Sequence, residues 1–520
     1  MAKGTAQSQV SSGPLVGKQF GVLRSVAHAL AIDPAMEALE RDPSGVVACA
    51  ENVRPALVAA LGLRRPERTI VVVTRTGTAA QLLHDDVVQY LGNDDALIFP
   101  AWETLPFERI SPAIETMGRR LEVLWRVRGD RPPLVVVASI RALLQKLGPG
   151  AETFEPIEVV RGSEVDADSL LARLVGDGYR REQVVEHRGE VARRGSIIDV
   201  FPSTADAPIR IDLWGDEVDR LATFNVNDQR STADLDRVTI YPARELRIDE
   251  SVMARAESLV SSEPWGVEHW DRFAHGETFE GMESWLPWLA TDDRLLTDVI
   301  GERRGANGAV VFVDQRRVLE RATDLIAEED DLANALASTW KRASDSSFPR
   351  LHLEPERLMA HSTGTPSILL ALIAEAPDAP AITSSTWGVV TGDIEATALR
   401  VNELLSDKWT VVFAADGEGT ADRLVEAFRE HGVTIRRRDH ATSDDGGGAT
   451  QQRLHAVAIA SRRGGGVGPH GTTPHETYTA SETHECGIRV RRPQAGRLCG
   501  PSPSRRRSLR GHGQTGDWRL

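Results

Sequence analysis

Two short segments of this sequence lie where a backbone could cradle a phosphate. Cys49-Ala50-Glu51-Asn52-Val53-Arg54-Pro55 follows the apolar run Val46–Ala50 and leads into the helical stretch Pro55–Gly62. Phosphate binding at such a place uses amides freed by glycine, a lysine for the outer phosphates and a Ser or Thr hydroxyl for magnesium. The segment supplies none of the three, Glu51 repels phosphate and Pro55 removes an amide donor. Thr74-Arg75-Thr76-Gly77-Thr78 has one glycine and no lysine. Neither segment is expected to hydrolyse a nucleotide. Asp416-Gly417-Glu418-Gly419 precedes a helical stretch, but its two acids oppose an anion, and it reads as a turn with a helix cap. Glu190 lies between Arg188 and Arg193 and reads as an ion-pairing group, because a lone carboxylate has no partner for acid–base work. Cys49, Cys486 and Cys499 are too few and too scattered for a disulfide framework or a zinc site. The expectation is therefore no catalytic residue, no cofactor and no metal in this chain.

What the sequence does offer is a surface. Residues 189–202 form a charged hairpin bracketed by Gly189 and Gly195, both expected at positive φ. Strand alternation places Ile198 and Val200 on one face and Ile197, Asp199 and Phe201 on the other, with Asp199 marking the second face as the wetter. A phenylalanine beside arginines on such a face fits an interface anchor, since aromatics and Arg dominate binding hot spots. Taken without further context, the same residues also fit a core Phe201 and a solvated Arg194.

The elements that must carry this hairpin alternate in type. Thr69–Val73, Ala96–Phe99 and Leu134–Ala138 are strand-like apolar runs. The first of them leads into an amphipathic helix over Thr78–Leu91. This alternation implies a parallel sheet with crossover helices, the architecture of nucleotide-binding α/β domains. Residues 154–208 read as a small α+β insert and 209–246 as returning strands, with a tight turn at Trp214-Gly215-Asp216-Glu217. Residues 250–345 hold long helical stretches, and Ala309–Val313 is a further strand. Trp409–Phe413, a helix over Thr420–Arg429 and Val433–Ile435 form a βαβ-like unit.

Composition bounds the class. At 520 residues, 41% hydrophobic and 26% charged, the chain is an ordinary multidomain polypeptide. It contains no apolar run long enough for a membrane helix, and an apolar signal core is missing behind Met1, so a cytoplasmic, reducing location is expected. From Ala441 onward there are 12 arginines, 6 acids and no lysine, a charge of +6, which leaves −21 on the first 440 residues. An acidic body disfavours autonomous DNA binding, although an arginine tail could hold nucleic acid. The tail, with its Gly446–Gly448, Gly464–Gly466 and Arg505–Arg507 runs, fits a disordered segment. It also fits an out-of-frame reading of a GC-rich gene, with the frame lost between about Asp439 and Gly466.

Several motifs resemble known sequences. The hairpin and the strands after it, Ile209–Leu213 and Arg220–Phe224, resemble the module shared by the bacterial excinuclease B subunit and the transcription-repair coupling factor. Val71–Leu82 is similar to the helicase motif that follows the phosphate loop in excinuclease B. Phe99-Pro100-Ala101-Trp102-Glu103-Thr104-Leu105-Pro106-Phe107 resembles the coupling-factor signature, and Asn225–Ser231 and Gly281–Pro287 are similar to its continuation. The resemblance runs from about Gly13 to Arg438. On its own, Trp102–Phe107 reads as a proline-braced loop packing its rings on the sheet, an architectural part.

The resemblance implies a RecA-like parallel-sheet domain without a phosphate loop, interrupted by the insert. The expected divisions are 1–150 for the first half of the sheet domain, 151–208 for the insert and 209–348 for the second half. A small α/β domain over 349–440 and the tail over 441–520 follow. By position in the family, Arg180, Arg194 and Phe201 would contact the excinuclease A subunit. The family acts in transcription-coupled excision repair with ATP and magnesium, RNA polymerase and double-stranded DNA. No Gly-Lys-Thr or Gly-Lys-Ser triplet of a working motor occurs here, so this chain would supply only recruitment. The alternative is an ATP-dependent, DNA-binding repair enzyme akin to excinuclease B.

Overall fold

The computed structural model describes residues 21–41, 45–105, 107–304, 309–339, 348–362, 367–372, 380–382, 392–407, 411–415, 418–439 and 456–460. Pro106, Trp409, Asp416, Gly417 and the expected change of frame with most of the tail after it lie outside the described residues.

The first four apolar runs become β1 (Val46–Ala48), β2 (Ile70–Thr74), β3 (Ala96–Phe99) and β4 (Val135–Ser139). The chain then leaves this sheet for residues 157–240. There it forms β5 (Ile157–Val160), β6 (Arg180–Arg181), β7 (Glu190–Arg194), β8 (Ile197–Val200), β9 (Ile209–Trp214), β10 (Glu217–Phe224), β11 (Ser231–Asp234) and β12 (Arg237–Ile240). It returns with β13 (Ala309–Val313) and β14 (Ser367–Ala371). The first sheet has the order β1-β14-β13-β2-β4-β3, and every neighbouring pair is parallel. β2 and β4 are buried along their whole length, as strands covered on both faces are.

Strand alternation divides the core between the two faces of this sheet. Ile70 and Val72 pack with Leu57, Val58 and Leu83 from the helices Arg54–Arg64 and Gly77–Leu91. Val71 and Val73 face the other way, toward Leu121 and Leu124 of the helix Ile114–Arg128.

The helix Ile114–Arg128 also seats the insert. A Cβ on its Gly118 would lie 2.5 Å from Ser203, so only glycine lets the two backbones approach so closely. Ser203 is held in turn: its amide donates to the Tyr179 hydroxyl at 3.0 Å, and that hydroxyl donates to Tyr241 O at 2.7 Å. Where the chain leaves the insert, Glu245 accepts hydrogen bonds from Trp102 Nε1 at 2.9 Å and from Arg120 Nε and Nη2 at 2.7 and 3.0 Å. Arg120 and Glu245 are both fully buried. Trp102 packs with Leu286 and Leu351, and Phe107 with Trp288 at 5.7 Å and Phe348 at 5.3 Å. The motif is thus architectural, but its rings lean on the helical layer of residues 248–289 and on the exit of the insert rather than on the sheet alone.

Three expected boundaries move. The strands β9, β10 and β11 were placed in the returning half of the sheet domain, after residue 208. They belong to the insert, because Val200 pairs with Ile209 across β8 and β9 and the loop between them closes an ordinary hairpin. The stretch from 349 was placed in the third domain, yet β14 lies between β1 and β13 in the first sheet. Pairings across so many residues leave no trace in local periodicity. The third unit holds β15 (Val411–Ala415), β16 (Arg436–Asp439) and β17 (Ala456–Ala460), with helices Ile394–Ser406 and Glu418–Glu430. β17 comes from the stretch read as tail and runs antiparallel between β15 and β16. The expected βαβ unit therefore has a third strand inserted, and its second strand begins at Arg436 rather than Val433.

Candidate docking surface

The second sheet has the order β11-β10-β9-β8-β7-β6, antiparallel throughout except for β6 and β7. Gly189 and Gly195 have φ of 83° and 64°, as expected of the residues that bracket the hairpin. Partners across a ladder point to the same side, as do alternate residues along a strand. Arg180 pairs with Glu190, and the Phe201 amide donates to Glu190 O at 2.9 Å. Arg194 pairs with Ile197 and Asp199 with Arg210. Arg180, Arg194 and Phe201 therefore share one face of the sheet. Val191, Ile198, Val200, Ile209 and Ile211 take the opposite face, buried against Leu170, Leu171 and Leu174 of the helix Ala167–Gly176. That helix starts at Asp166, whose carboxylate accepts from Ser169 N at 2.8 Å; hydrogen bonding from the Ser169 side chain, and then from its amide, holds the Asp166 pKa below the usual carboxylate value.

The division of faces matches the alternation of the sequence, but the outer face is not as wet as Asp199 suggested. Asp199 is 1% exposed. Arg210 covers it with a two-pronged pair, and Arg194 Nη2 donates to it at 3.1 Å. Hydrogen bonding to Asp199 pushes the Arg210 pKa up further. Burial of the carboxylate is satisfied entirely by charge-assisted hydrogen bonds, which is how a charged group survives under a sheet surface. Arg210 in turn lies 4.8 Å from the centre of the Phe224 ring.

Glu190 is also buried and also structural. One oxygen accepts from Arg180 Nη2 at 3.0 Å, the other from the amides of Glu186 and His187 at 2.9 and 2.8 Å. It pins the loop before β7 while leaving the Arg180 side chain 61% exposed. Phe201 is partly buried against Val185, Ala192 and Phe224, with the Arg188 guanidinium 5.3 Å over its ring. Phe201 is thus neither fully core nor fully open: it anchors a small apolar cluster and stays partly accessible. Arg194 keeps its side chain 49% exposed at the tip of the hairpin. The sequence reading missed Arg210 and Arg188 as the groups that hold this face. The signal for Arg210 was parity: it alternates with Ile209 and Ile211 and so must point outward.

At the phosphate-loop position the backbone is engaged elsewhere. Cys49 N donates to Ala371 O at 2.9 Å and Val53 N to Ala50 O at 3.0 Å, and the Arg54 side chain is buried. Burial pushes the Cys49 thiol up to about 11. At the second segment, Thr76 Oγ1 accepts from Ala79 N at 3.2 Å and caps the helix Gly77–Leu91. Among the described residues no helix is long and apolar enough to cross a membrane.

A family profile described as the UvrB interaction domain matches residues 157–246, the span of the insert and its exit. A transcription-repair-coupling factor of Mycobacterium tuberculosis (strain CDC 1551 / Oshkosh) is 33% identical over 417 residues, covering 73% of this chain and 32% of that protein. Proteins of the same name from Haemophilus influenzae and Bacillus subtilis are 30% and 28% identical, covering 47% and 56% of this chain. They are covered to 21% and 26% of their own lengths. The chain thus spans about a third, or less, of the length of the curated relatives it matches.

Proposed function

We propose that this chain, a relative of the transcription-repair-coupling factors over about three quarters of its length, is a recruitment module that docks the excinuclease A subunit on the outer face of its second sheet. The observation that supports this most is the convergence of Arg180, Arg194 and Phe201 on one face of a unit matched as the UvrB interaction domain. Two half-exposed guanidiniums beside a partly open phenyl ring suit a partner surface of carboxylates around an apolar patch. The face is built before any partner arrives, because buried Glu190 and Asp199 fix the two arginines from beneath. Binding then forfeits little side-chain freedom.

On this reading the parallel sheet is a frame. It holds the insert through Gly118, Ser203 and Glu245, and it is read as working without nucleotide, since the segment after β1 has no glycine, lysine or hydroxyl and Glu51 repels phosphate. The module would act in the cytoplasm, bringing excision repair to RNA polymerase stalled at DNA damage. Contact with the polymerase or with double-stranded DNA is not assigned to the described residues.

The test is a titration of the whole chain with purified excinuclease A subunit. Arg194→Ala, Arg180→Ala and Phe201→Ala are each expected to weaken binding about tenfold or more. Unchanged affinity in all three would remove the assigned surface. Saturable, magnesium-dependent ATP binding by the unaltered chain would favour an excinuclease B-like enzyme instead.

A further inference from the structure

On the outer face of the insert, β9 ends in Trp214, whose indole is 80% exposed, the most open of the large hydrophobic side chains among the described residues. Parity explains its direction: Ile209, Ile211 and Leu213 are buried, and Arg210, Asp212 and Trp214 point the other way. The register runs from Arg194 to Ile197 to Asp212, with Trp214 two residues further along the same face. Two strand spacings and two residues of rise put the Trp214 and Arg194 backbones about 12 Å apart. A standard protein interface easily covers both.

An exposed tryptophan on a loose loop would mean little. This one is on a braced turn. Gly215, at φ 64°, closes the connection between β9 and β10. The segment before the helix Ala167–Gly176 clamps its far side, with Val165 N donating to Asp216 O at 2.6 Å, Val218 N to Ser163 O at 2.9 Å and Gly162 N to Val218 O at 2.8 Å. Leu213 N donates to Ser196 O at 3.0 Å, tying the turn to the hairpin that carries Arg194. The ring is thus presented on a rigid mount at the cost of exposed apolar surface, the arrangement expected of a preorganised anchor.

Its surroundings differ in sign from the rest of the face. Glu164, Asp216 and Glu217 are exposed around the turn, and the nearby Arg220 is paired with Asp234, whereas Arg194 is exposed at the hairpin tip and Arg180 on the strand beside the hairpin. The docking face is therefore bipolar, and its acidic end carries the indole.

We propose that Trp214 is a further anchor of the docking face, entering an apolar pocket rimmed by basic side chains on the same partner protein whose carboxylates meet Arg180 and Arg194. This inference rests on the docking reading above and names the second half of the footprint.

The experiment is a titration of purified excinuclease A subunit against the full-length chain carrying Trp214→Ala, Trp214→Phe or Arg194→Ala. Thermal unfolding of the two Trp214 variants serves as a folding control, which the solvent-facing side chain should leave unchanged. Trp214→Ala is expected to weaken binding about tenfold, and Trp214→Phe to stay within about threefold of the unaltered chain. Loss of binding in Trp214→Ala with Arg194→Ala unaffected supports the anchor and counts against the cationic half. Full affinity in Trp214→Ala while Arg194→Ala loses binding overturns the anchor and leaves the docking reading standing. No binding by the unaltered chain overturns both.

Discussion

Asp199 and Arg210 face each other across β8 and β9, the carboxylate accepting Nε at 2.7 Å and Nη2 at 2.9 Å. The pair is the floor of the outer face of the second sheet, because Arg194 reaches down to the same carboxylate from the hairpin tip. Asp199→Asn removes the charge that both guanidiniums share and leaves Arg210, only 17% exposed, without its counterion. The expected loss of stability is about 2–3 kcal/mol, read from chemical denaturation. A loss under about half a kcal/mol would show that the pair is as dispensable as an exposed one.

A second buried pair joins the frame to the insert. Glu245→Ala leaves the fully buried Arg120 without a counterion and takes from the Trp102 indole N–H its acceptor at 2.9 Å. Destabilisation by about 3–5 kcal/mol is expected. Limited proteolysis should then cut near residues 241–246, where the insert rejoins the frame. Protection there equal to that of the unaltered chain would show that Glu245 does not hold this junction.

His269 provides a handle on pH. Its ring lies 4.3 Å from Trp285 and also stacks on Phe279. Burial, and then the neighbouring Arg109, hold its pKa below the ordinary 6.5; Glu268 pulls it the other way, and Arg272 adds a smaller lowering. A histidine with a lowered folded pKa binds its proton more readily when unfolded. Its contribution is therefore neutral above about 6.5 and turns against folding as pH falls below that value. Urea unfolding between about pH 5 and 7.5 should show stability falling on the acid side, with a shallower slope in His269→Phe. Identical slopes for the two proteins would assign the acid sensitivity elsewhere, for example to His28, whose pKa is also lowered by burial.

The parallel strands were legible because burial on both faces demands continuous β-branched runs such as Val71-Val72-Val73 and Val135-Val136-Val137. The hairpin was legible for the complementary reason: Gly189 and Gly195 are needed at positive φ, and Ile198 and Val200 must alternate with polar neighbours. Arg180, Arg194 and Phe201 could be named as candidates from the resemblance, and the hairpin parity put Phe201 on the face that also carries Ile197 and Asp199. The return of β14 to the first sheet, the assignment of β9 to β11 to the insert and the strand β17 were not legible. Each depends on which partner a strand finds, and a strand's pattern states only how many of its faces are covered.

Asp199 shows where local reading stops. Its place in the alternation put it correctly on the outer face, and its charge argued for water. Folding instead brought Arg210 and Arg194 over it, and the hydrogen bonds they donate replace the water it lost. Residue type and spacing were thus enough to set periodicity and direction, because these follow from backbone geometry within a few residues. Pairing, burial of charge and the shape of the outer face of the second sheet were decided only when distant segments met, because their energies belong to contacts rather than to residues.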